Sequence, residues 1–339
     1  MPTTVLELFS TKEVLDYQKE RTYPAMLGEE LFPEEKVQSL EFDMIVSGSR
    51  TPVIASVHGF DTESEIGQRE AQKKAIELAL IKRKMQLTEK EIIALENPRN
   101  EAERRYLMKQ VYNDIDVLVQ GIRARAEAMR MEIIANGTVT LDENGLDASI
   151  DYGVPAAHKA ANVDWDDADS DPIEDLLDWY NLMEVKPTRA LTSNTVLAKL
   201  LKHDAIIHRL FGATATRIAT LGELNTYLSS LGLPTITTYD QVYKKLGANG
   251  TYTTHRYFPE NAFVMFPDGP LGQTLYGPTA EEIRLTRDPS ITTEMIGKIL
   301  AMVYEENVDP VSTWEKAVAT ALPTFPYSDE IFQAKITLS

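Results

Sequence analysis

The chain reads as an α+β protein organised around one very long helix, and three observations carry that prediction. From Asn100 to Asn136, the residues Leu107, Val111, Ile115, Leu118, Ile122, Ala126, Met129 and Ile133 recur at steps of three and four, a continuous apolar stripe at the helical period. Ahead of it, Ser39–Val46 alternates as a strand does, with Leu40, Phe42, Met44 and Val46 on one side. Behind it, helical and strand-like runs follow one another between Gly- and Pro-marked turns.

Composition bounds what such a chain does. Its 339 residues suffice for two ordinary domains or one large irregular one, and 43% hydrophobic with 25% charged residues supports a sizeable core. The net charge of −18 repels nucleic acid phosphate, which argues against direct DNA binding, although ordinary solubility also accounts for it. Cysteine is absent, so disulfides and thiolate metal sites are excluded. No apolar run reaches membrane-spanning length. The start, MPTTVLELFS, has neither a basic nor an apolar signal region, so a cytosolic site of synthesis is expected.

In order along the chain, residues 1–37 read as an arm. A short helix is predicted over Thr11–Glu20, capped by Thr11, with Val14, Leu15 and Gln18 on one face. Pro24, Gly28 and Pro33 then interrupt regular structure. The apolar Tyr23, Met26, Leu27, Leu31 and Phe32 must be buried either on the arm's own domain or on a neighbouring subunit. Thr51–Val57 is a second strand-like run. Gly67–Thr88 is ambiguous, since Ile76, Leu78 and Leu80 alternate while the surrounding residues favour helix. Arg69, Lys73, Lys74, Lys82, Arg83, Lys84 and Lys90 make a basic island there, which by itself reads as a solvated face.

The long helix stops at Gly137. It lacks the a/d heptads of a coiled coil, so it is expected to lie on a sheet. Thr138–Leu141 and Leu146–Tyr152 form a predicted hairpin around Asn144–Gly145. Asp171 is placed to cap a helix that has Pro172 at its first position, Glu174 returning the cap contact, and that carries Leu176, Leu177 and Tyr180. Further helices are expected at Ser193–Phe211, Leu221–Leu231, Tyr239–Leu246 and Thr293–Met302, with strands at Asn261–Phe266 and in the closing run IFQAKITL.

Motifs for chemistry are sparse. Asp167, Asp169 and Asp171 have the opening spacing of a calcium loop with Asp178 near its end, but Pro172 stands where such a loop needs glycine, and helix capping explains the same residues. His58, His158, His203, His208 and His255 show no ligand spacing. The pair His58 and Asp61 invites only structural hydrogen bonds. The segment FPDGPLGQTLYGPTAEE reads as a rigid turn, because its prolines lack the N–H donors a phosphate loop requires. No catalytic, cofactor-binding or metal residue is assigned, and no cofactor is expected.

Three stretches carry a family likeness. ERTYPAMLGEELFPEEKV (Glu20–Val37), TPVIASVHGFDTESEIGQRE (Thr51–Glu70) and NAFVMFPDGPLGQTLYGPTAEEIRL (Asn261–Leu285) resemble, in the same order, the lambda-type major capsid protein of tailed phages, the capsid protein E family. The likeness extends from Glu20 to the C-terminus and is thinnest over 160–255. It implies the Hong Kong 97-like phage capsid fold: an N-terminal arm (1–37), a peripheral-domain strand (38–47), an extended loop region (48–90), the peripheral domain with its spine helix (91–160), an axial domain (161–265), and a return segment with the rest of the peripheral domain (266–339).

The implied function is structural. Hexamers and pentamers would build an icosahedral head around double-stranded DNA held without sequence-specific binding. The implied partners are copies of itself, a scaffolding protein, a portal and, in some members, a decoration protein. Assembly in the host cytoplasm and residence in the virion follow, with no membrane and no enzymatic activity. A scaffolding segment fused ahead of the arm is not apparent. An encapsulin-like compartment shell and a cytosolic enzyme with an unrecognised site are the alternatives.

Overall fold

The computed structural model describes residues 4–46, 72–143, 145–167, 169–247, 249–289, 291, 293–306 and 311–338. The run Thr51–Val57, His58, Asp61, Arg69 and the turn residue Asn144 lie outside these residues.

The arm carries α1 (Val5–Leu8), α2 (Thr11–Glu20), α3 (Leu27–Leu31) and the short strand β1 (Glu34–Lys36). Next come β2 (Glu41–Val46), β3 (Gln72–Glu77), β4 (Ala79–Leu87), α4 (Glu89–Glu96) and the long α5 (Glu101–Asn136). The hairpin β5 (Thr138–Glu143) and β6 (Leu146–Asp151) and strand β7 (Lys159–Val163) lead to α6 (Pro172–Leu182). Then follow β8 (Arg189–Thr192), α7 (Asn194–Lys202), α8 (Asp204–Phe211), α9 (Leu221–Ser230), β9 (Thr235–Thr238), β10 (Val242–Leu246), β11 (Tyr252–Arg256) and β12 (Ala262–Phe266). The chain closes with β13 (Thr274–Gly277), α10 (Ala280–Leu285), α11 (Thr293–Ile296), β14 (Leu300–Glu306), β15 (Ser312–Pro323) and β16 (Phe332–Ile336).

These elements form two units. The first gathers the described residues of 1–42, 76–127 and 273–324. Its sheet is built on β15: β4 runs antiparallel along one side, β14 and then β13 along the other, and β1 pairs parallel with β13. The small side chains Ala317, Ala319 and Ala321 recur at the strand period and let Val111, Ile115, Leu118 and Ile122 of α5 pack close, together with Val5, Phe9 and Val14 of the arm. The long helix therefore lies on a sheet, as its stripe predicts.

The second unit gathers the described residues of 43–75, 128–272 and 325–339. Its sheet has the order β7-β16-β12-β8-β9, and every residue of β12 is buried. α6, α7 and α9 contribute Leu176, Trp179, Val196, Leu200, Leu224 and Leu228 to the core that Phe263, Met265 and Phe332 complete. Trp179 stacks on Phe332 with ring centroids 4.9 Å apart. At the end of α5, Gly137 takes φ +73°, and a Cβ there would sit 2.7 Å from Val154 Cγ2. Gln333 Nε2 donates to the Ile133 and Ile134 carbonyls at 3.0 and 2.8 Å, satisfying acceptors that a helix end leaves open.

Several elements depart from the sequence reading. α2 is capped by Ser10 rather than Thr11, in a reciprocal box with Glu13, because Thr11 is already helical. Gly28 lies inside the short α3 instead of breaking the chain. From Gln72 on, the ambiguous stretch forms two strands: β4 pairs with β15 from Ala79 to Leu87, and Ile81, Met85 and Leu87 point to the core while Lys82, Arg83 and Lys84 stay exposed. Ser193–Phe211 is two helices, because His203 adopts an extended backbone that ends α7 and caps α8. Tyr239–Leu246 is not helical; Val242–Leu246 pairs with Tyr252–Arg256. Thr293–Met302 stops being helix at Ile296, where Gly297 turns at φ +67° and β14 begins three residues later. Segment 266–339, expected as a return segment with the rest of the peripheral domain, supplies β13, β14 and β15 to the first sheet and β16 to the second.

Candidate assembly surfaces

Asp116 gathers several polar groups of the arm onto its own unit. Asp116 sits on α5 beside the apolar stripe and is 5% exposed. It accepts from Tyr17 Oη at 2.9 Å, Tyr23 Oη at 2.9 Å and Arg21 Nε at 3.3 Å, and Arg21 Nη2 completes an ion pair. Burial, reinforced by the bond to Asp116, pushes the Tyr17 hydroxyl up to about 12 and raises Tyr23 as well. Both phenols thus remain donors throughout the working pH range. Nearby, Arg123 grips Glu29 at 2.6 Å and the Pro24 carbonyl at 3.0 Å, and Gly28 N donates to the buried Glu127 at 2.9 Å. Leu31 and Phe32 are fully buried, and Val37 N donates to the Tyr276 carbonyl at 2.7 Å. Of the two placements the sequence left open for the arm's apolar residues, the chain's own body provides one.

A second carboxylate stands where the alanine row of β15 would continue. Glu315 is 1% exposed, and among the described residues neither carboxyl oxygen has a hydrogen-bond partner. Its cross-strand neighbours are the apolar Val303 on β14 and Met85 on β4. Burial first, then the charges of Asp114 on α5 and Glu91 on α4, push its pKa up to about 8. Asp114 is raised in the same way, by burial and by Glu91. Glu91 and Asp114 line a cleft of about 210 Å³ with Leu87, Leu95, Leu107 and Val111.

In the second unit, the acidic run before α6 folds largely on itself. Asp171 caps α6 by accepting from Ile173 N at 3.0 Å, as its position predicts. Glu174 does not return the cap contact: Arg209 of α8 pairs with both Asp171 and Glu174 and draws it away. Asp167 accepts from Asp169 N at 3.0 Å, a local turn. Ser170 Oγ meets His203 Nε2 at 3.0 Å, while His203 Nδ1 accepts from Ala205 N. Burial lowers the His203 pKa, which keeps the ring neutral and able to accept. Asp178 lies on α6, away from these contacts. Among the described residues, no group of three or more His, Asp or Glu is arranged to hold a metal. Also among them, no helix is long and apolar enough to cross a membrane.

The ribbon β10–β11 has no fully buried residue among those described. Tyr243, Lys245 and His255 share one face, where Tyr243 stacks between His255 and Tyr257 and Lys245 pairs with Glu143 at 2.6 Å. The other face carries Val242, Lys244, Leu246, Tyr252 and Thr254, all exposed, and at its base the half-buried Arg256, which pairs with Asp240. Sequence reading passed over Asp116, Glu315 and this ribbon. For the first two, an acid set next to or within an otherwise apolar periodic row is the signal that was there to be found.

Comparison with known proteins fits this architecture. No curated protein sequence matches the chain. Among solved structures, the assigned capsid protein of an E. coli CFT073 prophage superposes with a TM-score of 0.61 at 14% identity, over 99% of this chain and 100% of that one. A phage-related protein from Bordetella bronchiseptica RB50 does so with a TM-score of 0.54 at 12% identity, over 95% and 96%. The shared fold is that of phage capsid proteins, the Hong Kong 97-like fold with an arm and a long helix on a sheet. The model of phage major capsid protein E matches residues 10–336. That span takes in every element from α2 to β16, and the chain belongs to the phage major capsid protein E family.

Proposed function

We propose that this capsid protein builds an icosahedral phage head, closing as hexamers and pentamers around double-stranded DNA that it encloses without reading sequence. The observation that carries the reading is the family match across residues 10–336 in a chain whose long helix lies on a sheet with the arm bound beside it. On this reading the long helix is the spine of a peripheral domain (91–160, completed by 266–339), residues 161–265 form the axial domain, and one of the places where the chain changes unit, Gly272–Gln273, falls inside the glycine- and proline-rich turn. The net charge of −18 suits a lining to which packed DNA does not adhere. The role requires no catalytic residue, metal or cofactor. Its strength comes from many modest contacts repeated by symmetry. A scaffolding protein, a portal and a decoration protein are the partners to look for, with assembly in the host cytoplasm and residence in the virion.

Negative-stain microscopy of the purified chain over a protein and salt series, with and without candidate scaffold, tests the reading. Closed shells, rings or curved sheets are expected. A monomer or dimer under every condition, scaffold included, would refute it.

A further inference from the structure

Two charged surfaces of the second unit are left unmatched by the fold. The ribbon of residues 242–256 contains Lys244, Lys245 and Arg256 and no acidic residue, in a chain of net charge −18. Arg256 is taken by Asp240 and Lys245 by Glu143. Lys244 has no acidic partner among the described residues, and around it Val242, Leu246 and Tyr252 are each more than half exposed. The segment of residues 164–178 is the converse, with eight acids and no cation. Asp166 pairs with Lys199, and Asp171 and Glu174 with Arg209. Asp164, Asp167 and Asp169 are exposed and have no cationic partner among the described residues.

The two surfaces lie at opposite ends of α7. Asp240, at the base of the ribbon, accepts from Asn194 N in the first turn at 3.1 Å. The acidic segment reaches the last turn, through Asp166 to Lys199 and Ser170 to His203. A subunit that carries complementary surfaces at two ends of one helix is suited to head-to-tail association, and head-to-tail contacts generate rings when the rotation closes.

We infer that the outer face of the β10–β11 ribbon of one subunit docks on the acidic segment 164–169 of the next copy, with Lys244 facing the unpaired aspartates. The inference rests on the assembly reading above and names the contact that would close a ring. Two ribbons meeting face to face would set Lys244 against Lys244, so the self-complementary alternative is disfavoured.

Charge reversal in the full chain tests the contact, scored by negative-stain microscopy and mass photometry where wild type assembles. Lys244→Glu spares the Lys245–Glu143 pair and should abolish rings and shells, as should Asp167→Lys with Asp169→Lys. Combining all three reversals should restore assembly. Lys244→Glu assembling like wild type, or a combined variant that stays unassembled while melting with wild type, would overturn the contact. Zero-length carbodiimide coupling of wild-type assemblies, made from mixed isotope-labelled and unlabelled subunits, needs no variant. Links between Lys244 of one copy and Asp164, Asp167 or Asp169 of another are expected. Lys244 linked across copies only to carboxylates outside 164–169, or to scaffold, would sink the proposal. A wild type that never assembles would refute the assembly reading itself, a failure distinct from that of the contact.

Discussion

Glu315→Gln should flatten the fall in this protein's stability from mildly acid to mildly alkaline conditions. The carboxyl titrates near 8 in the fold against 4.5 for an ordinary glutamate, because it is buried among apolar side chains and faces the charges of Asp114 and Glu91. Through that interval the folded chain holds a proton that the unfolded chain has released. Stability contributed by the neutral acid is therefore complete below about pH 4.5, falls as pH rises, and is spent above about pH 8. At about 1.4 kcal/mol per tenfold change, the interval corresponds to roughly 5 kcal/mol as a ceiling. Water entry and relaxation reduce what a denaturation curve returns, so a loss of about 2 kcal/mol is the expected reading. Glutamine keeps the shape and cannot ionise. Urea denaturation of both proteins at about pH 5 and about pH 9 measures the difference directly. Wild type should match or exceed the variant at the lower pH and fall below it at the higher one. A wild-type-minus-variant difference that is the same at both pH values would refute the argument.

Other substitutions probe the joints of the fold. Asp116→Ala leaves Tyr17, Tyr23 and Arg21 without their shared acceptor; trypsin should then cut at Lys12, Lys19 or Arg21 faster than in wild type, with a stability loss of about 1–3 kcal/mol. Gly277→Ala would put a Cβ 2.5 Å from Leu78 Cδ1, 3.0 Å from Thr320 Oγ1 and 3.1 Å from the Ser39 carbonyl, so the melting temperature should drop by an amount equivalent to about 1–3 kcal/mol. His203→Ala removes the Nδ1 cap of α8 and should cost about 1 kcal/mol, whereas His203→Asn, which can cap, should restore much of it in the same melt.

What the sequence made legible is what local physics determines. The α5 stripe is visible because a single face of a 36-residue helix repeats the same packing problem turn after turn. The caps at Asp171 and the stop at Gly137 are visible because each satisfies backbone groups a few residues away. The hydrogen bonds that hold the arm were not legible. Asp116 meets Tyr17, Arg21 and Tyr23 across 93 to 99 residues of chain, and no spacing rule connects them. Glu315 was passed over because an acid in a strand reads as its solvent face until the partner strands are known; its place at the head of the row Ala317, Ala319, Ala321 was the one hint.

The errors in secondary structure share a cause. In β4, the Lys- and Arg-rich run has strong helix propensity, yet pairing with β15 along Ala79–Leu87 sets a period of two. In β10, Val242–Leu246 looks helical by itself, and pairing with Tyr252–Arg256 makes it a strand. A ribbon of two strands is marginal in water when alone. Among the described residues, β10–β11 is held to its own subunit by Tyr243 on Tyr257 and Lys245 on Glu143 on one face, and on the other only at its base, by Arg256 on Asp240. Its apolar outer face works against solubility in an isolated protein and becomes useful when another surface covers it. Local propensity failed at this ribbon because pairing shapes it, and the face that pairing leaves open is the one the proposed ring contact would bury.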